Sequence, residues 1–474
     1  MWKKLNIFFF LALGILTGYS QAELPYRSDM YHFLKLFGKI DSISTIRPAS
    51  ATATINGTSS TLRPLWSYGI QLETESHPQH SFLAGLLYQK ISGKFFIEAT
   101  PYLYGGTLNG REYIPGFPTK FLKKTPTYFS LADIRWKLAY QPAPYIDFSA
   151  GKGKLFLGDG YRSLLLSDQG GPYYYFRGLV NVWHIQYVWQ IAGGYDRDSL
   201  YFGIEDHHLK YFAMHYLEWQ ARKWLSIQLF ETVIWPDKTE YGKRGVELDY
   251  LNPIIFYRPL EFDLGSGDNV IMGGALRINV SRVILYSQFL LDEFRVKEFL
   301  AGNGWWGNKF SIQGGIKYYG KKYFVLAEAN FVRPFTYSHR LTLSNYGMEN
   351  QPLAHPLGAG FAEFLIKAGY KLAQNKALAL SFDAYKQMLN SENRNYGPDI
   401  YIPYDYMREE YGNYMFASNN LTAIDTHARF IIWTDHEMRE SLYFETGIKL
   451  YRTDNNPQFM THPYVETGFQ CSIF

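Results

Sequence analysis

His207, His208 and His215 form the nearest approach to a metal cluster in the chain. A zinc-type site needs imidazole nitrogens that converge on one ion. In an extended strand His208 and His215 point to opposite faces, so they disfavour a shared ion and read as exposed or interior-lining histidines. Asp196, Asp198, Glu205 and Asp206 are close enough in sequence to pair as acid and base. Asp435-His436-Glu437 falls in a predicted tight turn and reads as solvated charge. Neither Gly-x-Ser-x-Gly nor His-Glu-x-x-His occurs, and no other nucleophile stands out. Cys471 is the one cysteine, which excludes an internal disulfide and a cysteine-based metal site. These residues predict no enzyme, no metal and no cofactor.

The run Gly151-Lys152-Gly153-Lys154-Leu155-Phe156-Leu157-Gly158-Asp159-Gly160-Tyr161-Arg162-Ser163 is rich in glycine. It lacks the Lys-Ser/Thr ending and the strand–helix context of a phosphate loop. Its glycines suit turns at φ > 0 that fold a loop back on itself. A second chemistry, recognition of sugars, needs aromatic faces beside hydrogen-bonding side chains. Candidates are Trp305, Trp306 and Asn308; Tyr173, Tyr174 and Tyr175 with Arg177; and Tyr401, Tyr404 and Tyr406 with Asp405 and Arg408. Lys120, Lys123, Lys124, Arg162 and Arg340 would suit an acidic glycan. The plainer reading of the aromatics is a girdle with loops packed on one another.

The elements that must position these residues show a period of two. Leu378, Leu380, Phe382 and Ala384 alternate with Ala379, Ser381, Asp383 and Tyr385. Phe310, Ile312, Gly314 and Ile316 alternate with Ser311, Gln313, Gly315 and Lys317. Leu442, Phe444, Thr446, Ile448 and Leu450 alternate with Tyr443, Glu445, Gly447 and Lys449. Phe364, Ile366, Ala368 and Tyr370 alternate with Glu363, Leu365, Lys367 and Gly369. Each is a strand with one apolar face. The segments span about 10 residues or more, the length a tilted strand needs to cross a bilayer. Connections are short near 92–93, 142–143, 220–221, 280–281, 320–321, 374–375 and 436–437. They are long near 105–128, 153–178, 235–269, 294–308, 335–360 and 389–423. Short turns at one end and long loops at the other are the organisation of outer-membrane barrels.

Met1 to Leu16 combine a basic start with an apolar run, and Ser20-Gln21-Ala22 offers a cleavage site, so residues 1–22 read as a secretory signal peptide. After residue 22 there is no apolar run long enough for a helical span, which leaves a closed barrel as the way to cross. An aromatic fraction of 18% suits a membrane interface. The balance of 47 basic against 43 acidic residues gives no footprint for nucleic acid. Residues 23–63 read as a short periplasmic or plug segment, with a helix over Asp29 to Phe37 capped by Ser28, and Ile55 to Thr61 loose. Residues 64–474 form the barrel, closing on an aromatic terminus, Phe474.

The string Gly158-Asp159-Gly160-Tyr161-Arg162-Ser163-Leu164-Leu165-Leu166-Ser167-Asp168 resembles a signature of Wzi-like capsule assembly proteins, in the Bacteroidetes-type branch that includes RemB-type gliding-motility proteins. Leu251-Asn252-Pro253, the string from Gln288 to Phe294 and the string from Asn350 to Gly358 agree with it. The resemblance runs over most of the mature chain. It implies an outer-membrane antiparallel β-barrel of about 18 strands that holds or organises surface polysaccharide, or serves surface motility. The family can carry a sizeable periplasmic helical bundle; the segment before the barrel is short here. Within that framework strands start near Pro64, Ser81, Lys94, Tyr128, Pro144, Leu179, Ser199, His208, Lys223, Val270, Arg282, Lys309, Lys322, Phe361, Lys376, Ile424, Glu440 and Thr461. The loops around 151–177 and 336–358 are expected to fold inward. Asp159, Tyr161, Arg162, Tyr174, Arg177, Trp305, Trp306, Arg340 and His355 become the candidate polysaccharide contacts. Expected partners are outer-membrane lipid, surface polysaccharide and other envelope proteins. The alternatives are a diffusion porin or transporter, lined by Lys317, Glu328, Glu363, Lys367, Arg429, Glu445 and Lys449, and an accessory barrel of a secretion or adhesion complex.

Overall fold

The computed structural model describes residues 28–39, 45–47, 58–73, 78–107, 117–118, 122–125, 127–199, 204–239, 242–247, 249–254, 267–436 and 438–471. The expected signal peptide and Phe474 lie outside the described residues. Eighteen long antiparallel strands close into one barrel. They are β1 (Thr58–Glu73), β2 (Gln79–Ser92), β3 (Phe95–Thr107), β4 (Tyr128–Ala143), β5 (Ile146–Gly153) and β6 (Tyr173–Val182). Next come β7 (Ile185–Ser199), β8 (Ile204–Arg222), β9 (Leu225–Pro236), β10 (Asn269–Val280), β11 (Val283–Glu293) and β12 (Lys309–Tyr319). The last are β13 (Tyr323–Val332), β14 (Phe361–Ala373), β15 (Lys376–Met388), β16 (Asn420–Trp433), β17 (Glu440–Thr453) and β18 (Asn456–Cys471). The closing pair is β1 with β18, from Tyr68 opposite Phe469 to Glu73 opposite Tyr464. Trp66 stacks on Phe469 across that seam, with centroids 3.8 Å apart.

Period-two patterning decides which face meets lipid. Ile312, Ile316, Phe364, Leu380, Leu442 and Phe444 are exposed on the outer wall. Their alternates Gln313, Lys317, Glu363, Ser381, Ser441 and Glu445 are buried in the lumen. Trp183, Trp219, Trp224 and Tyr145 are exposed at the short-turn end, where an interfacial girdle belongs. The long connections all leave the opposite end. Among the described residues no helix is long and apolar enough to cross a membrane. In hydrocarbon the closed ladder satisfies the backbone.

Several strands differ from the sequence reading. Ladder pairing begins at Thr58, so Thr58 to Thr61 are strand rather than loose chain. The separate short strand expected near Ser199 to Glu205 does not exist: Ser199 ends β7 and Ile204 opens β8. The missed element is β7, split from β6 by a turn at Trp183-His184 in which Trp183 takes φ 55. No glycine, proline or asparagine marks that turn. β18 starts at Asn456 rather than near Thr461, and pairs through Pro463.

Along β6 to β14 the lumen is packed rather than hollow. The connection between β5 and β6 (154–172) and the one between β13 and β14 (333–360) fold inward, as expected. Leu155, Leu157, Leu164, Leu165 and Leu166 from the first meet Tyr337, Tyr346, Met348 and Leu353 from the second. Both pack on Val188, Phe212, Met214, Tyr216, Phe230 and Ile271 of the wall. Helix α1 (Ser28–Leu36) closes the short-turn mouth. Its Phe33, Leu34 and Leu36 bury against Phe324, Ala377, Ile431, Trp433 and Met438. Outside the barrel, Asp249 to Ile254 lies against the outward faces of β7 to β9. There Tyr250 is fully buried beside Trp235, and His215 bridges Glu231 (2.8 Å) and the Asn252 carbonyl (3.0 Å).

Candidate functional site

The chain from Gly158 to Ser163 enters the lumen on a glycine turn. Gly158 sits at φ 109, where a β-carbon would be strained. A methyl group on Gly160 would come within 2.6 Å of Gln313 Oε1 and 2.8 Å of Glu328 Oε2. Wall side chains then grip the loop backbone. Glu328 accepts the Tyr161 and Arg162 backbone N–H groups (2.7 and 3.0 Å) and the Tyr286 hydroxyl (2.8 Å). Gln288 accepts the Leu164 N–H (2.8 Å), and Gln313 donates to the Arg162 carbonyl (3.1 Å). Lys317 donates to the Asp159 carbonyl. Such networks are strong when every member is satisfied.

The predicted residues Asp159, Tyr161, Arg162 and His355 converge in this interior network. Asp159 pairs with Arg277 (2.6 Å), which also faces Glu218 (3.7 Å). Arg162 faces Glu363 (3.5 Å), and the fully buried His355 bonds the same carboxylate (2.8 Å). The Lys367 ammonium lies 4.7 Å from the Tyr161 ring centroid. Arg177 is separate from them: buried on the inner face of β6, it donates to Gln190 (2.8 Å). Tyr174 is exposed on the outer face of β6.

The second inward loop is tied to the first. Tyr337 and Tyr346 hydroxyls donate to the Leu164 and Leu165 carbonyls (2.8 and 2.7 Å). Asn345 receives Lys210 (2.8 Å), which pairs with Asp196 (3.4 Å), and Asp196 accepts the Asn350 N–H (2.8 Å). Asp196 is therefore a structural anchor; the side chains of Asp198, Glu205 and Asp206 lie outside the described residues. No group of three or more His, Cys, Asp or Glu that could hold a metal occurs among the described residues.

Trp305 and Trp306 are held at the outer rim, mostly buried between loops 294–308 and 389–419. Trp305 donates to Glu410 (2.7 Å) and lies under Arg295, 4.5 Å away. Trp306 packs on Tyr404 (4.4 Å) and under Arg408 (4.0 Å). Hydrogen bonding from Arg408, then from Trp305, holds the Glu410 carboxyl below its ordinary range. Around this base the loop surface presents Tyr406, Tyr411 and Tyr414, each exposed by 42–52%. The Arg408–Glu410 pair (2.9 Å) lies beside them. Arg340 is exposed on the inward loop's outer turn, next to exposed Leu341. Tyr411 and Tyr414 were not singled out from sequence, although the tyrosine density from 396 to 414 was the available signal. The rim therefore combines apolar ring faces with a carboxylate and a guanidinium, the chemistry that grips a sugar's C–H face and hydroxyls.

The fold and interior define an outer-membrane β-barrel whose lumen is packed along one side. No protein-family profile matches the chain, and no curated protein matches its sequence. Among solved structures it is similar to Escherichia coli Wzi, described as an outer-membrane protein involved in group 1 capsule assembly and a carbohydrate-binding β-barrel. That likeness covers 94% of this chain and 98% of the other, at 12% identity and a TM-score of 0.55. Pseudomonas aeruginosa OprD covers 88% of this chain and 97% of its own, at 11% identity and a TM-score of 0.45. Pseudomonas aeruginosa OccK3 covers 86% and 94%, at 8% identity and 0.47. At these identities the likeness to Wzi is one of fold.

Proposed function

We propose that this chain is a non-enzymatic barrel that holds or organises polysaccharide at the outer surface, with the rim over residues 389–419 and Arg340 as the contact face. The observation that carries the reading is the packed interior. Two outer loops fill the lumen against β6 to β14, and α1 closes the opposite mouth. A barrel built for diffusion needs a continuous aqueous path. Along β6 to β14 this one spends lumen charges on holding the inward loops. In this reading Asp159, Tyr161, Arg162, Arg177 and His355 act indirectly, by fixing the floor on which the outer loops stand. Trp305 and Trp306 brace the exposed tyrosines. The resemblance of the Gly158–Asp168 string to Wzi-like proteins, and the carbohydrate binding named for Escherichia coli Wzi, support the same reading. Residues 1–22 would deliver the chain for export, and other envelope proteins would meet it at the membrane.

The test is the partition of polysaccharide between washed cells and medium, with and without the gene. Loss of the gene is expected to shift polysaccharide into the medium. Complementation with a Tyr406→Ala, Tyr411→Ala, Tyr414→Ala variant is expected to leave it there while the barrel still assembles. An unchanged partition in the deletion strain overturns the reading and brings surface motility or secretion support forward. A large steady conductance of the purified protein in planar bilayers would replace it with a diffusion porin.

A further inference from the structure

A cavity of about 360 Å³ lies in the lumen at the short-turn mouth, between α1 and the inner faces of β10 to β12. Lys35, Arg277, Asn279, Arg282 and Tyr319 line it, with Ser281 and Ile284. That size is within the ordinary range of small-ligand sites. Its charges are unequal. Arg277 is compensated by Asp159 and Glu218. Lys35 is not: its ammonium lies 4.2 Å from the Tyr319 ring centroid and has no carboxylate partner among the described residues. Arg282 stands on the turn at the rim, with its guanidinium turned to the outward-facing Tyr318 hydroxyl. Deeper in, Arg47 donates to the Gly160 carbonyl (2.9 Å) and stacks on Phe156 (3.8 Å), and Lys317 donates to the Asp159 carbonyl. The carboxylates facing this group are Asp159, Glu218, Glu328 and Asp168. His32 on the same helix adds no charge. Burial first, then Lys317, Arg47 and Lys35, hold it well below its ordinary pKa.

A partly enclosed ammonium without a carboxylate partner is costly. Here that ammonium, on Lys35, borders a cavity that also offers a tyrosine ring and an asparagine amide. We infer that this cavity is a binding site for a phosphate or carboxylate group presented from the short-turn side, with Lys35 as its main charge and Asn279 as its polar contact. The site is independent of the outer rim proposed above. Two sources carry that chemistry, the headgroup of an anionic phospholipid and an acidic sugar.

The experiment uses the full chain in non-ionic detergent, titrated calorimetrically with inorganic phosphate, glucuronate and short-chain phosphatidylglycerol. At least one probe is expected to bind wild-type protein, with Lys35→Met weakening it about tenfold and Lys35→Arg restoring it. Because a change on α1 could unseat the helix, Asn279→Leu on β10 is the second variant, with a several-fold loss expected. Heat-modifiable gel mobility verifies the barrel in each. Tightest binding of phosphatidylglycerol assigns the site to a lipid headgroup, and tightest binding of glucuronate assigns it to an acidic glycan. Absence of binding for all three probes, or equal affinities in wild type, Lys35→Met and Asn279→Leu, overturns the inference.

Discussion

The two sides of the lumen are built from the same alternating strands and end in opposite states. Along β6 to β14 the inward side chains are dry. Val188, Phe212, Met214, Gln288, Leu290 and Glu328 are buried against the two inward loops. Along β15 to β18 and β1 the inward face is charged and mostly only partly buried. It carries Lys367–Asp383 (2.6 Å) at its border, then Asp425–His427 (3.2 Å), Arg429–Glu445, Tyr443–Glu466 (2.7 Å) and His462–Glu73 (3.4 Å). On the dry side Glu328, Lys317, Lys210 and Asp196 hold loop backbone groups, and Arg277 and Glu363 hold loop side chains. On the wet side the charges meet one another, along one strand for Asp425–His427 and across neighbouring strands for the others. A polar lumen face is thus not by itself a channel lining: what it contacts depends on which outer loops reach it.

Breaking the dry side should cost most. Glu328→Ala orphans the Tyr161 and Arg162 N–H groups and the Tyr286 hydroxyl, and should destabilise by about 3 kcal/mol or more. The denaturation midpoint in detergent measures this, and new ion conductance should accompany it. Stability and conductance unchanged from wild type would show that the loop does not depend on this network. Next in size is the mouth closure. Phe33→Ala removes the ring set edge-on to Phe324 (5.3 Å) and against Trp433 (5.5 Å). The loss should be about 3 kcal/mol of α1 docking, seen as faster hydrogen exchange over residues 28–39 with the barrel strands unaffected.

A pH change should separate the outer loops from the wall. His339, packed near Tyr404, is pushed down to about 3 by burial, then by Lys309 and Arg340. The sign follows from proton binding. The released loop takes up a proton below the ordinary histidine range near 6.5, whereas the packed loop stays neutral down to about 3. Its stability is full above about 6.5 and falls by up to about 1.4 kcal/mol per pH unit below that. Limited proteolysis of residues 333–360 against pH should show the fall, and His339→Gln should flatten it. The smallest effect belongs to the wet side. His427→Ala cuts a half-exposed pair and should change stability by under about 0.5 kcal/mol. A loss of several kcal/mol there would erase the contrast between the two sides.

Most strands were legible because lipid outside and packed or wet polar groups inside impose a strict period of two. The failures have local causes. The turn at Trp183-His184 puts a tryptophan at φ 55, so no turn residue announced β7. β18 carries Pro457 and Pro463, which depress strand character, and follows a two-residue outer turn at Asp454-Asn455 that breaks the short–long rhythm. The helix at 28–36 was visible from its apolar spacing. The pairing of Ile46-Arg47 with Phe156-Leu157, which joins the N-terminal segment to the inward loop, was not. Nothing in a two-residue strand marks its partner.

The sequence by itself determined a membrane-crossing antiparallel barrel, because alternation, loop rhythm and the lack of an apolar helical run are local properties that only a closed ladder in lipid satisfies. It also marked the glycine-rich segment as a loop that turns inward. Only the tertiary structure decided what that loop meets. Tyr161 and Arg162 find Glu328, Leu164 finds Gln288, and Tyr346 reaches Leu165, all across more than a hundred residues of chain. Backbone groups taken from water must be bonded wherever they land, and closing the barrel brought these partners within reach.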